Sequence, residues 1–211
     1  MSQTTSLMSK PKAILGAGGH SRSVIGVLLD LGFECIGIYD DSFDPNKNES
    51  ILGIPLCGKI NDCPNDVDIV LAVGDNAKRA DLAQRFQKQI FKEPIIHPSA
   101  TVHQSAKLGV GSIVFPTAFV NAEATIGENC IINSGCIIEH EATIGNNCHL
   151  SIGSIVAGRT KVGQSCFVGA GAVLIDQIAI SQNTIIGAGS VVYKSLKESG
   201  TYVGNPAKRI K

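Results

Sequence analysis

The stretch Ile126–Ile144, IGENCIINSGCIIEHEATI, carries an aliphatic residue at every sixth position: Ile126, Ile132, Ile138 and Ile144. The register runs without insertion from Val102 to Val192, sixteen aliphatic residues in all. Four residues after each, the side chain is usually small, as at Ala118, Ala124, Cys130, Cys136, Ala142 and Cys148; Ile178 is the large exception. A strand alternates faces at each residue, so positions i+4 and i+6 of a hexad share one side and i+5 points away. Residues i+1 to i+3 must turn the chain, and Gly109, Gly127, Gly145, Gly163, Gly169 and Gly187 fall there. Three hexads close a triangular coil of 18 residues, and coils stack about 4.8 Å apart. This period predicts a parallel β-helix, the hexapeptide-repeat solenoid, with about five coils. In that register Cys130, Cys136, Cys148 and Cys166 are small inward fillers.

Residues 12–94 follow a different pattern. KAILGAGGH is a strand at Ala13–Leu15 running into a glycine turn. SRSVIGVLLDLG has helical periodicity, with Val24, Leu28 and Leu31 on one face and Gly32 as a stop. ECIGIYDD is a second strand, DIVLAVGDN a buried one, and AKRADLAQRFQKQI another helix. Alternating strand and helix predicts parallel strands with crossovers, a small α/β Rossmann-like βαβ domain. The organisation expected is a flexible tail at 1–11, an α/β domain at 12–94, a β-helix at 95–193 and a C-terminal segment at 194–211.

Equal numbers of acidic and basic residues give no footprint for nucleic acid, and the absence of tryptophan argues against base stacking. Met1–Pro11 has no apolar core of a signal peptide, and no run is long enough for a membrane helix. A cytoplasmic protein with reduced thiols is expected.

His140 falls at i+2, in a turn, and His149 at i+5, outward, so neither belongs to the solenoid core. Glu139 and Glu141 flank His140, and a carboxylate there can orient the imidazole as a general base. GAGGH resembles a dinucleotide fingerprint, but Ser21 stands where its third glycine would be. The turn can still cradle a diphosphate at the helix N-terminus. No metal is expected: zinc-binding solenoids of the γ-class carbonic anhydrase type carry two histidines about five apart. Here His97 and His103 are six apart and His140 and His149 nine apart.

The hexapeptide signature resembles the left-handed parallel β-helix acyltransferases. Gly204-Asn205-Pro206-Ala207-Lys208 matches their G-x-P-A-[KR] ending. GAGGHSRSV, YDD and AVGDN resemble the sialic-acid O-acetyltransferase family of NeuD type. NSGCIIEHEATIGNNCHLSIG is similar to its branch that N-acetylates nucleotide-linked 4-amino sugars in bacillosamine biosynthesis. That resemblance implies a cytoplasmic homotrimer using acetyl-CoA and a nucleotide-linked, UDP-carried amino sugar, with no metal. It implies His140 as base, Glu141 as the acid that holds it, and Asn133 near the sugar. His149 would sit beside the thioester, and Gly158, Ala170 and Ala188 along the pantetheine arm. Asn205, Pro206 and Lys208, with Arg209, would lie by the coenzyme, and Gly158 would supply an oxyanion N–H. Gly16, Gly18, Gly19, His20, Asp40 and Asp41 would hold the nucleotide-sugar. O-acetylation of a sugar, longer acyl chains and a non-catalytic nucleotide-sugar-binding solenoid stay open at this point.

Overall fold

The computed structural model describes residues 10–211, so most of the expected tail at 1–11 lies outside the described residues. Lys10 and Pro11 are not tail: their carbonyls accept from the Lys12 ammonium and the Asp68 amide. The α/β unit consists of β1 (Lys12–Leu15), α1 (Gly19–Asp30), β2 (Cys35–Tyr39), β3 (Ser50–Ile51), β4 (Ile54–Gly58), β5 (Asp68–Leu71) and α2 (Asn76–Arg85). Its sheet has the order β3-β4-β2-β1-β5, parallel except for the β3–β4 hairpin. α1 buries Val24, Ile25, Val27 and Leu28 on the sheet and stops at Gly32, whose φ of 73° suits a left-handed C-terminal cap. Lys12 is wholly buried in β1, yet its ammonium meets Asp68 at 2.8 Å and lies 4.0 Å from the centre of the Phe91 ring.

From Ile95 onward the chain is a left-handed solenoid of two-residue rungs, Ile131 pairing with His149 and Ile132 with Leu150 eighteen residues on. The rungs form three parallel faces. Ile138, Ala142 and Ile144 are buried and Thr143 exposed, which is the alternation the period requires.

The corners differ from expectation. The left-handed backbone falls at i+3, and there mostly on residues other than glycine: Thr117, Glu123, Asn129, Glu141, Asn147, Arg159, Ser165, Gln177 and Asn183 all have φ between 53° and 60°. The i+1 glycines serve close approach between coils instead. A Cβ at Gly145 would lie 2.5 Å from the backbone N of Gln164, and at Gly163 2.5 Å from that of Gln182. No side chain can yield there, because the obstacle is backbone.

Each face presents its i+5 residues outward. The first (Ile95, Ile113, Ile131, His149, Phe167, Ile185) lies largely beneath the α/β unit, with which Ile95, Ile113, Phe115 and Ile131 form one core. The second presents Phe119, Ile137, Ile155, Val173 and Val191, half-exposed. The third presents Lys107, Thr125, Thr143, Lys161 and Ala179, all exposed. The C-terminal segment is continuous with the solenoid rather than appended to it. Thr201–Val203 pairs in parallel with Ile185–Ile186 and closes the first face, and Lys208–Arg209 folds back antiparallel on it.

Candidate active site

His140 sits at the corner between the second and third faces. Its Nδ1 lies 3.0 Å from Glu141 Oε2. A carboxylate only accepts, so Nδ1 carries the proton and Nε2 presents a lone pair. Arg159, one coil on, brings Nε to 3.9 Å from the same Glu141 oxygen. The two flanking glutamates are not equivalent: Glu139 accepts from Asn121 Nδ2 at 2.6 Å and from the His140 amide at 3.3 Å, so it ties adjacent coils. Gly158 lies against the imidazole. A Cβ there would stand 2.7 Å from Cε1 and 2.8 Å from Nε2. His140 and Glu141 are about half exposed, which leaves the imidazole open to an incoming molecule.

A second centre lies where the α/β unit meets the first face. A cleft of about 750 Å³ opens at the carboxyl ends of β1 and β5, the point where strand order reverses and open α/β sheets bind ligands. Gly16, Gly18, Gly19, His20, Asp40 and Asp41 all line it. Gly16 is confined by close approach, since a Cβ would meet Val73 at 2.8 Å, whereas Gly18 and Gly19 face open space. Asp40 lines the cleft with its carboxylate already engaged within the fold. Its carboxylate accepts from the Ala17 amide and from the Ser42 amide and hydroxyl, so it closes the glycine turn rather than facing a ligand freely. Burial alone would raise its pKa; the hydrogen bonds from Ser42 and Ala17 prevail and lower it. Asp41 is exposed at the rim. The cleft also holds two cations absent from the sequence expectation, Lys78 and Arg85 of α2. Their spacing of seven, with Asp81 and Leu82 between, was a helical-face signal available in the sequence.

His149 lies under the α/β unit rather than in solvent. It points outward from the solenoid, but the α/β unit covers it and it is only 8 % exposed. Its Nδ1 lies 3.1 Å from the Gly74 carbonyl, its ring 5.7 Å from that of His20 and 5.1 Å from that of Phe167. Asn133 Nδ2 approaches His149 Nε2 at 3.5 Å. Burial, with repulsion from Arg79, depresses the His149 pKa to about 4. Burial, then His149 and Arg79, does the same to His20, whose Nε2 is buried without a partner. Both rings are neutral when folded, while an unfolded histidine titrates near 6.5. Their stabilising effect is complete above about pH 6.5 and drains as pH falls toward about 4, by roughly 3 kcal/mol per histidine at most. Thermal melts from pH 7 to 4.5 should therefore show a falling Tm, and His149→Asn should flatten that slope; an unchanged slope would refute the assignment.

The structure separates the candidate residues into edges. Asn133, Ala170 and Ala188 share the corner between the first and second faces, and the exposed Asn205, Pro206 and Lys208 lie at the solenoid's end, where Val191 donates to the Gly204 carbonyl. His140 and Gly158 occupy the opposite edge of the second face, so one chain's Gly158 does not continue the column of Ala170 and Ala188. Among the described residues no group of three or more His, Cys, Asp or Glu is placed to hold a metal, and no helix is long and apolar enough to cross a membrane.

Two family models match the chain: the PglD N-terminal domain over residues 13–86 and the GMPPB C-terminal domain over residues 91–204. No curated protein matches. Among solved structures, the acetyltransferase domain of PglB from Neisseria gonorrhoeae is 30 % identical, with a TM-score of 0.89 over 96 % of this chain and 100 % of that one. The same domain has been solved with acetyl coenzyme A. A variant of GDP-perosamine N-acetyl transferase from Caulobacter crescentus, in complex with CoA and GDP-perosamine, is 33 % identical, with a TM-score of 0.87 over 95 % of this chain and 97 % of that one.

Proposed function

The chain belongs to the PglD-type acetyltransferase family, and from that premise we propose that it transfers an acetyl group from acetyl-CoA to the C4 amine of a nucleotide-linked amino sugar. The observation that carries this is the His140–Glu141 pair, an imidazole held at Nδ1 with Nε2 free and half exposed. The amine nitrogen attacks the thioester carbonyl carbon. A C–N bond forms, the C–S bond breaks, and the coenzyme leaves as thiolate. His140 Nε2 takes the proton released by the amine and can return it to the thiolate. The Gly158 backbone N–H is the candidate donor to the developing oxyanion. No covalent enzyme intermediate is required, because both substrates are held together.

The nucleotide-sugar would enter the cleft of the α/β unit. Its diphosphate suits the N-terminus of α1 at Gly18 and Gly19, where a Cβ would meet nothing within 4 Å, and the cations Lys78 and Arg85. UDP is the expected carrier; the GDP of the Caulobacter relative makes GDP the second arm of the test. Acetyl-CoA supplies the acetyl group. The exposed small side chains Ala170 and Ala188, with Lys208 beyond them, leave room and charge for its arm and phosphates. His149 and Asn133 would stand at the junction of the two substrates.

A homotrimer accounts for the separation of the edges. The second face is an apolar ladder, Phe119–Ile137–Ile155–Val173–Val191, left half-exposed by its own chain. Its two edges are unlike, one carrying His140 and Gly158, the other Asn133, Ala170 and Ala188. A head-to-tail ring of three would set one subunit's His140 edge against the next subunit's other edge. Ile155→Asp should therefore yield folded monomers with little activity. An active monomer in sedimentation would refute this assembly.

The test of the function is thiol release from acetyl-CoA with UDP-, GDP- and dTDP-linked 4-amino sugars, beside hydroxy-sugar acceptors. Release with one amino-sugar nucleotide supports the reading. Release only with hydroxy sugars, or none with any acceptor, overturns it.

A further inference from the structure

The contact between α2 and the solenoid is built around a buried cation. Arg79 is 2 % exposed and, among the described residues, forms no salt bridge with a carboxylate. Instead Nε donates to the Asn129 carbonyl at 2.8 Å, Nη1 to the carbonyls of Val73 at 3.2 Å and Gly74 at 3.1 Å, and Nη2 to Asn76 Oδ1 at 2.7 Å, the Asn147 carbonyl at 2.8 Å and the Cys148 carbonyl at 3.2 Å. Asn129 and Asn147 are left-handed corner residues in successive coils. Asn76 continues the clamp one coil further, its amide donating to the carbonyls of Ser165 and Cys166.

The Gly74 carbonyl is shared: it accepts from Arg79 Nη1 and faces His149 Nδ1. A carbonyl cannot donate, so His149 carries its proton on Nδ1 and its Nε2 is an acceptor turned toward Asn133. We propose that Arg79 is a positioning residue for His149: by fixing the Gly74 carbonyl against the first face, it sets the tautomer in which His149 presents Nε2 as an acceptor toward Asn133 and the junction of the substrates. This rests on the proposed function, in which His149 stands at the junction of the substrates. The guanidinium does what an ammonium could not, since its planar fork of donors reaches two successive coils and one loop together. The titratable groups facing the ring are His20 from α1 and Arg79 from α2; the neighbouring rungs present Ile131 and Phe167.

The experiment is nitrogen-detected NMR of the imidazoles in the full chain, with His149 assigned from His149→Asn. The wild type should show His149 neutral at pH 7 with the proton on Nδ1. Arg79→Lys keeps the charge but loses the fork. It should move the ring substantially toward the Nε2–H tautomer and lower kcat roughly 10- to 100-fold, with KM for the nucleotide-sugar little changed. Arg79→Gln serves as the second variant if Arg79→Lys does not fold. A wild-type His149 protonated on Nε2 overturns the inference. So does a folded variant with the wild-type tautomer and kcat, which would reduce Arg79 to a structural clamp. The spectra need no turnover, so an Arg79-dependent Nδ1–H ring in a protein without acetyl transfer would sink the functional reading and leave this one intact.

Discussion

His140→Ala should lower kcat by about 10²–10⁴-fold, the usual loss on removing a general base, while leaving Tm close to that of the parent. The two halves of this expectation have separate grounds. His140 is half exposed at a corner, and its side-chain contact is to Glu141, itself half exposed, so little folding energy is at stake. The chemistry, by contrast, has no substitute at that edge. Glu141 cannot replace the base, because its carboxylate is directed at Nδ1 and stands behind the ring. The loss should appear in kcat with little change in KM for either substrate, because the imidazole acts on a proton that moves only as the amine attacks. Steady-state thiol release at saturating substrates reads both parameters. Near-normal turnover would mean that another group takes the proton.

Gly158→Ala is expected to be nearly as severe, about 10²-fold in kcat, although it adds one methyl group. That methyl would stand 2.7 Å from Cε1 and 2.8 Å from Nε2 of His140. Contacts under 3.0 Å force a shift, and the exposed ring is the part free to move. Swinging it away breaks the 3.0 Å bond to Glu141 and carries Nε2 from where the amine would lie. Stability should change little, because Gly158 has no left-handed φ to lose and the ring can yield toward solvent. The variant therefore separates placement from presence of the base: imidazole is still there, misdirected. A crystal structure or an NMR titration of His140 would show the displaced ring, and unchanged kcat with a displaced ring would refute its role.

The period of six made the solenoid legible, because small and aliphatic side chains alternate at fixed offsets and nothing else folds that way. Ile138, Ala142 and Ile144 turned inward and Glu139, His140 and Glu141 outward, as the spacing required. What the spacing lacked was information across the chain. His149 reads as outward and free in its hexad, and only docking of a body some seventy residues earlier in sequence buries it. Arg79 looks like a solvated helix charge in AKRADLAQR; its burial depends on carbonyls fifty to seventy residues away. Asp40 reads as an acidic residue at a strand end, and the amides that occupy it come from the glycine turn and from Ser42. The glycines at i+1 are required by packing rather than by the turn, since the left-handed corner tolerates Glu141 and Arg159 while interlocked backbones exclude a methyl at Gly145 and Gly163. Local pattern fixes which side of a strand faces in; it does not say what arrives to cover the other side.

The pairing of each rung with the one eighteen residues later gives the solenoid the logic of a threaded bolt with three marked sides. Removing one full thread shortens the bolt and leaves every mark aligned. Removing a single hexad advances everything beyond it by a third of a turn, with the aliphatic register and the core unbroken. Such a chain would still fold, but His140 and Gly158 would no longer stand over one another if the cut fell between them. The unit in which this architecture can gain or lose length without losing its chemistry is thus the whole thread, three times the repeat that builds it.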